Sequence, residues 1–133
     1  MPEAATLLGF DYGLKKIGVA IGNTLTAQAR PLTILRPVTK QERFAQIEQL
    51  LEEWQPDAVV VGLPLTLDGQ EQYSSLRCRR FAHQLHGRYG LMVHLVDERG
   101  SSLEAQAILA THADDDAVAA AVILQRWLDQ KAE

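Results

Sequence analysis

Carboxylates stand at three places where hydrophobic patterning alone would put apolar side chains. Asp11 lies inside the run TLLGFDY, Glu98 follows a run ending at Val96, and one of Asp114, Asp115 and Asp116 opens the nearly all-apolar stretch Ala117 to Leu128. A carboxylate withdrawn from water must be paired, hydrogen-bonded or bound to metal, because an isolated ion there protonates or destabilises the fold. Three converging acids would repel one another, and hard divalent cations with oxygen ligands relieve that repulsion. A pair of such ions, roughly 3.5–4 Å apart, activates water and stabilises the leaving oxygen in phosphodiester hydrolysis. Mg²⁺ or Mn²⁺, two ions, is therefore the expected cofactor. Each acid also has an ordinary reading: Asp11 as a turn residue near Gly13, Glu98 as a surface charge beside Arg99, the acidic run as a helix cap. Their joint placement on one order of elements is what favours the metal site.

The elements that must position them follow from periodicity. TLLGFDY (6–12) and KIGVAIG (16–22) flank Gly13, Leu14 and Lys15, the pattern of a hairpin. Setting Tyr12 opposite Ile17 puts Asp11 opposite Gly18 and Gly9 opposite Ala20. Opposed residues share a face, so this register leaves room above Asp11 for a metal and a phosphate. A third strand is expected over Ala29 to Leu35, with Pro31 suiting an edge. Thr39 and Glu42 have capping-box spacing ahead of Phe44, Ile47, Leu50, Leu51 and Trp54, a helix ending before Pro56. Ala58–Leu63 (AVVVGL) reads as a central parallel strand buried on both faces. Asp68 and Glu71 suggest a second capped start, for a helix carrying Cys78, Phe81, Ala82 and Leu85 and stopping near Gly87; a strand over Leu91–Val96 follows. Ser101 and Glu104 open a short helix to about Ala110, and a last, largely buried helix covers Ala117 to Leu128. The resulting fold class is α/β: a mixed five-stranded sheet, three antiparallel strands then two parallel, with helices on both faces.

Bulk properties agree with one domain over residues 1–133, of which 47% are hydrophobic. The single cysteine, Cys78, rules out an intramolecular disulfide and a cysteine zinc site, and points to a reducing cytoplasm. The expectation is a chain with no signal peptide and no contact with membrane. A net charge of −4 disfavours a protein that coats nucleic acid nonspecifically, but not a metal-dependent nuclease, whose bound cations restore positive potential at the phosphate.

The segments FDYGLKKIGVAIG, RPL, VVVGLPLTLDG, VDERGSS and DDAVAAAVIL, in order and spanning almost the whole chain, resemble the YqgF (RuvX) family of RNase H-like proteins. That family is described as Holliday junction resolvases and as nucleases maturing the 5′ end of pre-16S ribosomal RNA. The resemblance implies an RNase H-like nuclease whose catalytic and metal-binding acids are Asp11, Glu98 and Asp116. It is the family spacing to Leu124 that selects Asp116 over its two acidic neighbours. Two departures stand out: Gly100, where an aliphatic residue usually follows DER, and the short, weakly basic stretch ATHAD (110–114) before the third acid.

Lys15, Lys16, Arg30 and Arg99 are the candidate substrate contacts, since all adjoin the expected strand ends. The GLPLTLDG loop should border the site, because open α/β sheets bind ligands beyond the carboxyl ends of their strands. Arg77, Arg79 and Arg80 read more simply as a solvated helix face, and Trp54 and Trp127 as core rather than base-stacking residues. The four histidines lack zinc spacing. The favoured function is maturation of pre-16S rRNA in ribosome biogenesis, with ribosomal precursor particles as partners. Rival readings are a resolvase acting on branched DNA, which should dimerise, a nonenzymatic RNA-binding assembly factor, and an actin-like nucleotide-binding lobe, for which the chain is short.

Overall fold

The computed structural model describes residues 5–66, 68–97 and 116–132. Glu98, Arg99, Gly100, the helix expected between Ser101 and Ala110, and the ATHAD stretch lie outside the described residues. The elements are β1 (Thr6–Tyr12), β2 (Ile17–Asn23), β3 (Gln28–Leu35), α1 (Lys40–Trp54), β4 (Ala58–Leu63), α2 (Tyr73–Tyr89), β5 (Met92–Asp97) and α3 (Asp116–Ala132). They build a five-stranded sheet in the order β3-β2-β1-β4-β5. β1, β2 and β3 are antiparallel neighbours, and β4 and β5 add in parallel beyond β1.

The hairpin has the expected register, with Tyr12 opposite Ile17, Asp11 opposite Gly18 and Gly9 opposite Ala20. Period-two alternation sorts the strands into two cores. Leu8, Phe10, Val19, Ile21, Val59 and Val61 face Phe44 and Ile47 of α1 and Cys78, Phe81 and Leu85 of α2. Leu7, Ala20, Val60 and Val96 face Ala120, Ile123, Leu124 and Leu128 of α3. β4 is buried on both sides, as its unbroken apolar run requires.

α1 begins with the expected capping box: the Thr39 hydroxyl accepts from the Glu42 N–H at 3.1 Å, and the Glu42 carboxylate accepts from the Thr39 N–H at 3.1 Å. It ends at Gln55, in the left-handed region with φ 44°, just ahead of Pro56, which disfavours further helix. α2 corrects the sequence expectation at both ends. Its box is made by Gln72 and Ser75, not Asp68 and Glu71, because the Ser75 hydroxyl turns inward to donate to the Pro64 carbonyl while accepting from the Gln72 N–H. The helix also runs through Gly87 to Tyr89 and stops at Gly90, with φ 68°. β3 starts one residue earlier than expected, and β5 is displaced by one residue to Met92–Asp97.

α3 lies unusually close to the sheet because the floor beneath it has almost no side chains. A Cβ on Gly9 would stand 2.8 Å from the Cβ of Leu124, and one on Gly18 only 1.8 Å from the carbonyl oxygen of Asp116. The space over Gly18, beside Asp11, is thus filled by helix backbone. Gln125 ties α3 to the β2–β3 connection: its amide oxygen accepts from the Ala29 N–H at 2.9 Å and its nitrogen donates to the Ala27 carbonyl at 2.8 Å. Replacing it by leucine strands both backbone groups, so Gln125→Leu is expected to destabilise the fold by about 1–3 kcal/mol, read as a lower melting temperature. An unchanged transition would show that the clamp is redundant.

Candidate active site

Asp11 is carried on β1 with the same-face residues Leu7 and Gly9, and so points to the α3 side of the sheet. Asp116 is the first residue of α3, seated by its own backbone on Gly18, the cross-strand partner of Asp11. This seating brings together carboxylates from the two ends of the chain. Burial, and then the charge of Asp116, push the Asp11 carboxyl up from the usual carboxylate range to about 6. Lys16, at the start of β2, sets its ammonium 3.4 Å from the Asp116 carboxylate. Asp116 at a helix N-terminus also meets the positive end of the helix dipole.

The two acids offer carboxylate oxygens at a partly desolvated position, the donor chemistry that suits hard divalent cations rather than zinc. Among the described residues there is no group of three or more His, Cys, Asp or Glu able to hold a metal. The third acid expected from sequence, Glu98, lies outside them, as does Arg99. They follow β5, whose last residue, Asp97, pairs with Leu63 at the same edge of the sheet where β1 ends. His94 is elsewhere: its ring stacks on Trp127 at 4.8 Å, and burial followed by the Lys131 charge lowers its pKa.

The remaining sequence candidates separate. Lys15 is exposed on the hairpin turn beside the site. Arg30 is not brought to Asp11, because it pairs with Ile21, which pairs with Leu8, near the opposite end of β1 and on the opposite face. Its guanidinium lies 6.0 Å from the Trp54 ring instead. Beyond the end of β4, the Thr66 hydroxyl accepts from the Gln70 N–H at 3.0 Å and Leu65 bridges to Glu71.

Two contributors escape the sequence reading. Gly18 acts as the seat of α3, which no local pattern announces. Tyr12, next to Asp11 but on the other face, stacks on Phe81 with ring centres 4.3 Å apart, and Arg43 stands 5.4 Å from the Tyr12 ring. Together they brace the strand end that carries Asp11. The capping box placed Arg43 in the first turn of α1, but nothing in the sequence pairs it with Tyr12.

A family model described as "RuvX: Holliday junction resolvase" matches residues 5–130. A protein of Bordetella parapertussis named "Putative pre-16S rRNA nuclease" is 72% identical over 129 residues, covering 97% of this chain and 96% of that one. One of the same name from Burkholderia pseudomallei is 53% identical, covering 94% and 88%. Among solved structures, Thermus thermophilus RuvC in complex with a Holliday junction superposes with a TM-score of 0.64 at 15% identity, covering 96% of both chains. The fowlpox virus resolvase bound to junction DNA gives 0.61 at 13% identity, covering 96% of this chain and 99% of that one. The structural likenesses establish the RNase H-like architecture shared with resolvases, and the match along nearly the whole sequence places this chain in the RuvX family.

Proposed function

We propose that this chain is a divalent-metal-dependent endonuclease that hydrolyses phosphodiester bonds in structured RNA, with the 5′ end of pre-16S rRNA in ribosomal precursor particles as its substrate. The observation that carries the reading is the apposition of Asp11 and Asp116 across Gly18, where burial and then the Asp116 charge lift the Asp11 pKa to about 6. Two carboxylates that sense each other's charge, one of them withdrawn from water, favour a bound dication. The names of the full-length relatives support the RNA substrate.

Asp11 and Asp116, with Glu98, are the residues that would hold Mg²⁺ or Mn²⁺; when bound, such ions supply an activated water and stabilisation of the leaving oxygen. Asp11 must lose its proton to serve as a ligand, so cation affinity falls as pH drops through about 6. Lys16 neutralises part of the acid charge and keeps the Asp116 carboxylate oriented towards the hairpin. Lys15 and Arg99 are the proposed contacts to substrate phosphates, whereas the position of Arg30 removes it from that set. No helix among the described residues is long and apolar enough to cross a membrane; the proposed compartment is the cytoplasm, where precursor ribosomes are found.

The second reading, cleavage of four-way DNA junctions, is favoured by the description of the matching family. Both are tested by incubating the protein with Mg²⁺ or Mn²⁺ and end-labelled precursor rRNA, RNA stems and four-way DNA junctions, beside Asp116→Asn. Cation-dependent cleavage of the RNA, reduced at least about 10²-fold by Asp116→Asn, is expected. Preferential cutting of junctions would favour the second reading. Binding of RNA without turnover under any cation would leave a nonenzymatic assembly factor.

A further inference from the structure

Five of the 13 lysines and arginines, Lys15, Lys16, Arg36, Lys40 and Arg43, gather at one end of the sheet. α1 carries Lys40 and Arg43 at its start and Glu52 and Glu53 at its end, the reverse of the order that the helix dipole favours. Helix stability therefore does not account for their placement. Just ahead of α1 stands Arg36, and across the sheet edge Lys15 occupies the hairpin turn. Strand register explains the gathering: Leu35 pairs with Ile17, and Ile17 with Tyr12, so β3 releases Arg36 at the same edge where Lys15 lies and Asp11 opens. Arg43 reaches back over the ring of Tyr12, the neighbour of Asp11.

Lys15, Arg36 and Lys40 are exposed. The acid among them, Glu42, is engaged by the N–H groups of Val38 and Thr39, both at 3.1 Å. Two large apolar side chains stand in the same patch, Val38 at 89% exposure and Leu14 at 63%. Neither contributes to either core. A surface of cations with interspersed apolar groups suits a partner that is itself a phosphate backbone with apolar sugars and bases.

We propose that this flank, from the acid pair across the hairpin turn to the start of α1, is the track along which a nucleic-acid backbone leaves the cleavage site. Phosphates lie against Lys15, Arg36, Lys40 and Arg43, and Leu14 and Val38 rest on sugars or unstacked bases. With neighbouring strands about 4.8 Å apart, the path from β1 to β3 covers about 10 Å. That equals about three base-pair rises of 3.4 Å along a duplex axis. The inference rests on the nuclease reading above, and assigns the direction in which substrate extends.

The test measures the affinity of wild type, Arg36→Ala/Lys40→Ala and the comparator Arg77→Ala/Arg80→Ala for a labelled RNA stem over a range of salt concentrations, in Ca²⁺, with cleavage kinetics in Mg²⁺. Loss of two phosphate contacts should reduce the slope of log affinity against log salt by about 1.4–1.8, raise KM and leave kcat near wild type, with the comparator little changed. An unaltered slope in the α1 pair, or a drop confined to the α2 pair, overturns the assignment of this flank while leaving the nuclease reading intact. A wild-type protein that neither binds nor cuts any nucleic acid removes both.

Discussion

Asp11→Asn is expected to cripple cleavage and, in the absence of metal, to make the protein more stable at neutral pH. Folding lifts the Asp11 carboxyl from 3.8 to about 6, by burial and by the Asp116 charge. A raised carboxyl pKa means that the folded chain holds this proton more tightly than the unfolded one. The native state is therefore free of penalty below the unfolded pKa, loses stability as pH rises between about 4 and 6, and carries the full penalty above that window. A rise of this size corresponds to about 3 kcal/mol, an order-of-magnitude figure that the neutral amide should largely recover. Urea unfolding in EDTA from pH 4 to pH 8 checks it: wild type should weaken across the window and Asp11→Asn should not. Divalent cation at about 1,000 times its Kd should reverse the ranking, since it stabilises wild type by about 4.1 kcal/mol and has lost its anchor in the variant. Cleavage should fall by roughly 10²–10³-fold or more. If Asp11→Asn is less stable than wild type in EDTA at pH 8, the carboxylate is not under the strain that the site chemistry requires.

Gly18→Ala is expected to be the most damaging single methyl that can be added among the described glycines. The new carbon would fall 1.8 Å from the carbonyl oxygen of Asp116, which belongs to helix backbone and not to a side chain that can rotate away. α3 must then lift at its N-terminal end. Overpacking typically costs about 1–3 kcal/mol, and a clash with rigid backbone belongs at or above the top of that range. Activity should fall further than stability, because Asp116 moves with the helix even in molecules that remain folded. Gly87→Ala is the informative contrast: it lies within α2 with no heavy atom within 4 Å of the added carbon. There the same change should stabilise by about 0.5–1 kcal/mol. Thermal unfolding and cleavage measured on both variants decide the matter. A Gly18→Ala protein that melts and cuts like wild type would mean that α3 does not depend on this seat.

Much of this architecture is legible before any coordinates, and the reason differs from element to element. The β1–β2 register follows from a short turn between two apolar runs, and β4 from an uninterrupted β-branched run that only a doubly covered strand tolerates. The Thr39–Glu42 box is a local hydrogen-bond pattern and is equally visible. The start of α2 was misread because Asp68 and Glu71 have suitable spacing, while the real cap uses Ser75, whose inward turn depends on the position of Pro64 eleven residues earlier. Arg30 was misplaced for a related reason. Adjacency to a strand end does not say which end of the sheet that is, and the bulge between Val19 and Ala20 shifts the register of β3 as well. For the proposed site, pattern alone singles out Asp11 and Glu98, and chooses among the three consecutive acids Asp114, Asp115 and Asp116 only with the help of family spacing. The close packing of α3 on Gly18, which joins Asp11 to Asp116, is a tertiary fact with no local signature.

The same close packing dictates when the molecule can first act. On the proposed site, one half of the acid pair is laid down with β1 and the other arrives on α3, so a nascent chain would leave RNA uncut until α3 has been made and docked.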